Sequence, residues 1–435
     1  MRDIVLVIIV AGLFIYALRK PWVSPLLWAW LSMMNPHRLT FGFAYSLPMA
    51  QAAAGLVLLQ FLMPKNRHGF PSVSTAWLMV AFYLWNCVTS LASFNDMAVV
   101  WEGWVKVTKI QLLLFITMMM LRGRRQIDAL VWVLVISIGF YGVKGGIHTI
   151  LRGGATMVMG PPGSFIEGTN HIALAMMMVV PLMYYLLQHS ERRWIRVGLW
   201  ISMGLTTLSV LGTASRGALL ATVTMAALLG LKSKRKLSTV LVVIIGLTLM
   251  LAFMPEQWTQ KMGTIATHED HSAQSRIYTW QMIWNMVLHH PITGGGYMVT
   301  ENPATWQVYA VTEWARAYSP HSLYFQALAE HGFIGLVLYL ALGISAWRRC
   351  SRVVREANTP ETAWAGLLCR MVQASIAGFA VGGAFVNLVN FDLPYYFVAI
   401  AVLADVSVAG SRAEAKKAVA AASRSLPTDV RHGMP

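Results

Sequence analysis

The chain has 435 residues, of which 57% are hydrophobic and only 12% charged, with a mean hydropathy of +0.56. A soluble domain carries about 25% charged residues, so a soluble multidomain enzyme is excluded. The net charge of +16 would suggest nucleic acid in a soluble chain, but here the basic residues lie mainly between apolar runs. The positive-inside rule accounts for them, and no nucleic-acid partner is needed.

Apolar runs fall at 4–18, 23–34, 43–63, 72–93, 104–121, 127–149, 169–188, 196–211, 214–231, 237–253, 321–347, 363–386 and 393–409. A crossing needs about 20 apolar residues. The first two runs are short and flank Pro21 and Pro25, which reads as one broken helix or a helix plus a re-entrant piece. The pattern predicts an all-α polytopic membrane protein with about 12 transmembrane helices. Stretches such as Leu237 to Phe253 are solidly apolar, unlike the alternating segments of about 10 residues in a membrane barrel. With Arg2 before it, Arg19-Lys20 after it and no small-residue cleavage site, the first run reads as a retained segment, not a signal peptide.

Basic clusters occur at Lys65 and Arg67, Arg122 to Arg125, Arg192 to Arg196, Lys232 to Lys236, and Arg348 to Arg355. They fall on alternate loops, and with Arg2 and the C-terminal basic residues they hold most of the 34 Lys and Arg, so that side is cytoplasmic. Both chain ends are expected there. Cys87, Cys350 and Cys369 lack CxxC spacing and predict neither disulfides nor a zinc site.

The organisation predicted is N-terminal transmembrane helices over 1–253, a periplasmic loop over 254–320, C-terminal transmembrane helices over 321–409, and a disordered cytoplasmic tail over 410–435. The loop is too long for a passive turn in a compact bundle. Within it 272–290 reads as an amphipathic interfacial helix, with Ile277, Trp280, Ile283, Trp284 and Val287 at helical spacing. No internal repeat of fixed period is visible, which weakens a transporter built from inverted repeats.

The stretch from Ser319 to Gly335 enters a span directly from this loop. Ser319 suits an N-cap and Pro320 the first helical position, placing His321 in the first turn. Positive partial charge there keeps an imidazole neutral, as a general base must be; the alternative is an interfacial histidine that only caps. Arg216, in Gly212-Thr-Ala-Ser-Arg-Gly-Ala218, begins a span on the same side against the helix dipole. An anion shared by guanidinium and helix start would explain it, as would snorkelling to headgroups. Arg276 opens the loop helix and supplies a second cation. Two arginines and one histidine suit transfer from a lipid pyrophosphate. Lys109, Lys144 and Arg152, within or at the outer ends of spans, are secondary anion-binding candidates, as is Lys106, though Glu102 four residues earlier can pair with it.

The His268-Glu-Asp-His271 run reads as a solvated loop, because four consecutive residues cannot easily converge on one ion. Asn170-His171 reads as helix-end polarity. Walker A, Rossmann and HExxH patterns are absent, so ATP-driven transport and zinc proteolysis lose support, and no residue pattern calls for a cofactor or metal.

Taken together, Ser215 to Ala218, Ser275-Arg276, Gly294-Gly-Gly-Tyr297 and the His-Ser-Leu-Tyr…Glu-His-Gly-Phe-Ile-Gly block from His321 to Gly335 resemble the O-antigen ligase and polymerase superfamily of bacterial inner-membrane glycosyltransferases. The run from Met34 to Pro48 resembles a ligase subgroup that includes O-glycosylation ligases. The resemblance implies a GT-C-like fold with a large periplasmic loop and metal-independent, inverting glycan transfer from undecaprenyl pyrophosphate. In ligases the acceptor is a lipid A-core sugar hydroxyl, giving lipopolysaccharide. On this chain it implies His321 as the activator of that hydroxyl, with Arg216 and Arg276 on the departing pyrophosphate. An O-antigen polymerase, a protein O-oligosaccharyltransferase and, from another class, a lipid-linked sugar flippase remain alternatives.

Overall fold

The computed structural model describes residues 2–153, 156–232, 271–311 and 317–425. The helices are α1 (Arg2–Arg19), α2 (Ser24–Met34), α3 (Met49–Leu62), α4 (Ser74–Leu91), α5 (Met97–Met120), α6 (Gly123–Leu151) and α7 (Thr169–His189). They continue with α8 (Arg193–Gly212), α9 (Arg216–Lys232), α10 (His271–His289), α11 (Pro303–Tyr309), α12 (Leu323–Glu356), α13 (Ala363–Gly382) and α14 (Asp392–Ser425). No strand occurs among the described residues. Among the described residues seven helices, α5 to α8 and α12 to α14, are long and apolar enough to cross a membrane, and α3 and α9 contain shorter apolar helices. This supports a multi-pass helical membrane protein. The apolar run 237–253 and the His268 to Asp270 part of the histidine-acid cluster lie outside the described residues.

Helix α7 is the most enclosed of the seven, with 78% of its apolar window buried against α6, α8, α9 and α13. A helix apolar on every face belongs inside a bundle. Apart from its two tyrosines, polar side chains on α7 are therefore confined to its ends, at Thr169 to His171 and at Gln188 and His189.

Of the two readings left open for the N-terminal runs, one broken span or two segments, the structure has two helices, α1 and α2. Asp3 accepts hydrogen bonds from the Gly42 and Ala44 amides, just before α3, whereas the Gln60 amide near the end of α3 donates to the Ala17 carbonyl. Helices α1 and α3 thus run parallel, with α2 returning between them. Pro21 opens a 3₁₀ turn and Pro25 sits in the first turn of α2, where a missing N–H is no loss. Arg2 consequently lies at the end opposite Arg19, Lys20 and the basic loops. The expectation that Arg2 shares their face, and that both chain ends do, is corrected.

Helix α12 is interrupted at Gly332, whose φ of 67° and ψ of −170° lie in a region open essentially to glycine. The break frees backbone groups that a crossing segment uses. Gly295 N and Gly296 N donate to the carbonyls of Ala329 and Glu330 at 2.8 and 3.1 Å, and Phe333 N donates to Pro291 O at 2.9 Å. A Cβ at Gly294 would stand 2.5 Å from Ala329 O, so the glycine run is the strap that fits against the broken helix. At the other end of the chain, α14 continues to Ser425, through residues the sequence assigns to a disordered tail. The Ala, Glu, Lys and Arg of that stretch are strong helix formers, and Arg412 pairs with Glu356 at 2.9 Å.

Candidate active site

The functional candidates gather at the end opposite the basic loops. Helix α12 starts at Leu323 with Ser322 as its N-cap, so His321 precedes the helix and is not in its first turn. This corrects the expected Ser319 cap. His321 has φ 45°, a left-handed conformation uncommon for non-glycine residues. The surrounding segment is pinned: Ser319 donates to Glu301 Oε1 at 2.7 Å, and Trp280 Nε1 donates to the Pro320 carbonyl at 2.8 Å. Trp280 also stacks on Phe325, with ring centroids 4.9 Å apart.

His321 is held neutral by burial and by the charges beside it. Burial first, then the charges of Arg276 and His171, push its pKa from 6.5 down to about 4. The structure thus brings Arg276 and His171 into electrostatic reach of His321. Arg276 stands on α10, half-buried. The buried face of α10 is Met282, Ile283, Met286 and Val287, packed on Val299, Trp306, Leu328 and Ala329. Ile277 and Trp284 are about half exposed, so the apolar face is rotated from the one expected. The reason is that α10 packs its side on protein, at the strap and the start of α12.

Arg216 is the first residue of α9, following Ser215, whose Oγ accepts the Ala218 amide at 3.2 Å. A Cβ at Gly217 would lie 2.9 Å from Phe385 Cβ, and one at Gly383 would overlap Leu323. The starts of α9 and α12 therefore abut the same short turn, Gly383–Phe385. The chain that follows knits the region together. Asn387 Oδ1 pairs with His171 Nε2 at 2.9 Å, and Val389 N donates to Gln326 Oε1 at 3.1 Å. Asn390 Nδ2 donates to Glu330 Oε2 at 3.1 Å. The buried Glu330 carboxylate also accepts from Gln326 Nε2 and Met298 N, tying strap, broken helix and the 386–391 segment at one point.

Sequence reasoning read His171 as helix-end polarity and did not single out Asn387 or Glu330. Gly168-Thr-Asn-His171 at the start of an otherwise apolar helix was the available signal for His171. Asn387 and Asn390 lie in a turn between two spans and announce nothing by pattern.

The secondary candidates stand apart from His321. Lys109 lines a cavity of about 380 Å³ with Lys106, Asn35 and Asp392, and Lys106 is paired with Glu102 at 2.7 Å. Lys144 lines another of about 280 Å³ with His148 and Tyr141. The Met157 to Ile166 loop forms a wall of both. Arg152 is exposed just after α6 and lines neither.

The fold and this end of the bundle define a multi-pass helical protein with Arg276 in electrostatic reach of a buried histidine. Residues 201–340 match the O-antigen ligase family model, and residues 1–191 match a domain family of unknown function, DUF5935. The first match contains Arg216, Arg276, the glycine strap and His321, and it supports membership in the O-antigen ligase and polymerase superfamily. No curated protein matches the chain.

Proposed function

We propose that the protein is an O-antigen ligase with a GT-C-like fold, acting at the periplasmic face of a bacterial inner membrane. It transfers a glycan from undecaprenyl pyrophosphate to a sugar hydroxyl of lipid A-core. The observation that carries this reading is a neutral His321 beside Arg276, inside the segment matched by the O-antigen ligase model.

In this reaction the acceptor oxygen forms a bond to the anomeric carbon and its proton passes to the His321 imidazole. The bond from the anomeric carbon to the pyrophosphate oxygen breaks, and the electron pair leaves with undecaprenyl pyrophosphate, inverting the centre. The leaving group is already anionic, so it needs cations and no proton donor. Arg216 and Arg276 supply them, and their bidentate geometry suits phosphate without a divalent ion. An apolar groove of about 380 Å³ begins at Leu323 and Tyr324, beside His321, and descends past Tyr339 to Arg348, a fit for a polyprenyl chain. Lys109, Lys144 and Arg152 offer charge to anionic groups of the acceptor away from the reacting carbon.

The test is glycan transfer in reconstituted vesicles containing EDTA, from lipid-pyrophosphate donor to lipid A-core, comparing wild type with His321→Asn. Transfer that resists EDTA and is lost in the variant is expected. Lengthening of the donor alone would replace ligase by polymerase, and transfer to a peptide hydroxyl would replace it by protein glycosylation. Movement of donor across the bilayer without transfer would make the protein a flippase.

A further inference from the structure

The basic end of α12 holds a second group of cations, at the far end of the helix from His321. A cavity of about 490 Å³ opens between α4 and α12, lined on its polar side by Ser74, Ser345, Arg348, Arg349 and Arg352. The arginines divide by what they touch. Arg349 is buried and its donors are taken up within the protein: by the Asp405 carboxylate, by Thr75 Oγ1 at 2.9 Å and by Ser74 Oγ at 3.1 Å. Arg348 and Arg352, one turn apart on the same face, are exposed, and no carboxylate among the described residues pairs with them. The first turn of α4, which borders the cavity at Ser74, carries no acidic residue either.

Above this charged mouth the wall turns apolar, with Leu78, Ala341 and Ile344. Ile344 is 54% exposed, and Val337, on the same helical stripe, 62%. Uncompensated guanidiniums at a helix end, with open apolar surface running toward the helix middle, match a ligand with a phosphate at one end and hydrocarbon at the other.

We propose that this cavity binds an anionic phospholipid of the cytoplasmic leaflet. Its phosphate rests on Arg348 and Arg352, and an acyl chain lies along Ile344 and Val337. A basic pocket between spanning helices on the cytoplasmic side suits such a headgroup. Free phosphate would satisfy the guanidiniums but leave the apolar stripe bare. The site meets the polyprenyl groove at Ile344 and Arg348, but the proposal does not rest on the glycosyl-transfer reading.

Native mass spectrometry of the full chain, titrated with phosphatidylglycerol or phosphatidylcholine in detergent, tests the proposal. Phosphatidylglycerol should bind in preference, and Arg348→Gln with Arg352→Gln should weaken it roughly 30-fold, from the contribution of each basic residue near an anionic surface. Arg193→Gln with Arg196→Gln, an exposed pair elsewhere on the basic face, should change little. Equal affinity in the Arg348/Arg352 variant would overturn the site, as would an equal loss in the control pair. Glycerol phosphate binding as tightly as the lipid would overturn the acyl contact. Should the double variant fail to fold, salt titration of the wild type decides: phosphatidylglycerol affinity that does not fall with added salt refutes the arginine contact.

Discussion

At the basic end of α12, Arg349 gives its guanidinium to Asp405, Thr75 and Ser74. At the other end, Arg276 and His171 stand where their charges oppose protonation of His321. The first arrangement satisfies a buried charge; the second keeps one group, His321, in its neutral form. Folding alone selects the first kind, because a buried ion without its partner is strongly destabilising. The second kind makes sense when an anion is to be bound and a neutral base kept beside it.

The comparison breaks most decisively at His321. Replacing it by Asn, which tolerates the left-handed backbone, should lower glycan transfer by about 10²- to 10⁴-fold. The melting temperature in detergent should stay near that of wild type. Transfer within a few-fold of wild type would remove the base from the reaction.

At the opposite end the expectation reverses. Arg349→Met leaves Asp405 buried without its cation and should cost about 3–5 kcal/mol of stability, read as a lower melting temperature. Adding Asp405→Leu should restore most of it, since an apolar pair of similar volume removes the stranded charge. Failure of the second change to rescue would mean that the pair does more than satisfy itself.

Arg276→Gln sharpens the contrast, because it should act on rate and on pH profile together. Loss of one cation from the leaving group should lower kcat by about 10²- to 10³-fold. In the proposed mechanism the neutral form of His321 is the active one, so kcat/KM should fall as pH drops through about 4. Removing a positive neighbour favours imidazolium, which moves that acidic limb upward, toward the ordinary 6.5. Arg276→Lys keeps the charge and should leave the limb in place while losing the bidentate contact. A limb that does not move in Arg276→Gln would separate Arg276 from His321.

Much of this architecture is legible in the sequence, since continuous apolar runs and alternating basic loops follow from the bilayer itself. The convergence of Arg276 on His321 was approached by topology, both residues being assigned to one side of the membrane. What escaped has physical reasons. The apolar pattern runs through Gly332 without a change of period, so the interruption of α12 is carried by one backbone conformation and by the strap that satisfies it. The antiparallel course of α1 and α2 depends on Asp3 meeting the Gly42 and Ala44 amides, a long-range contact that local pattern does not encode. On α10, Met282 and Met286 face protein, whereas the exposed Ile277 and Trp284 look equally apolar in the sequence.

The gentlest test of the difference between the two ends is Gly332→Ala. An alanine there is strained at φ 67°, and its Cβ would overlap the Ile292 carbonyl, for a cost of about 1–3 kcal/mol. The strap from Pro291 to Tyr297 must shift to make room. It follows directly from α10, so the shift carries to Arg276 and the approach to His321, and glycan transfer should fall by more than the change in folded population explains. Arg348 and Arg352 lie four turns and more beyond the break, on a helix whose contacts with α4 and α14 are undisturbed. Phosphatidylglycerol binding should therefore persist in the variant that loses transfer. Loss of both together would show that the two ends of α12 move as one body, and that the break at Gly332 does not separate them.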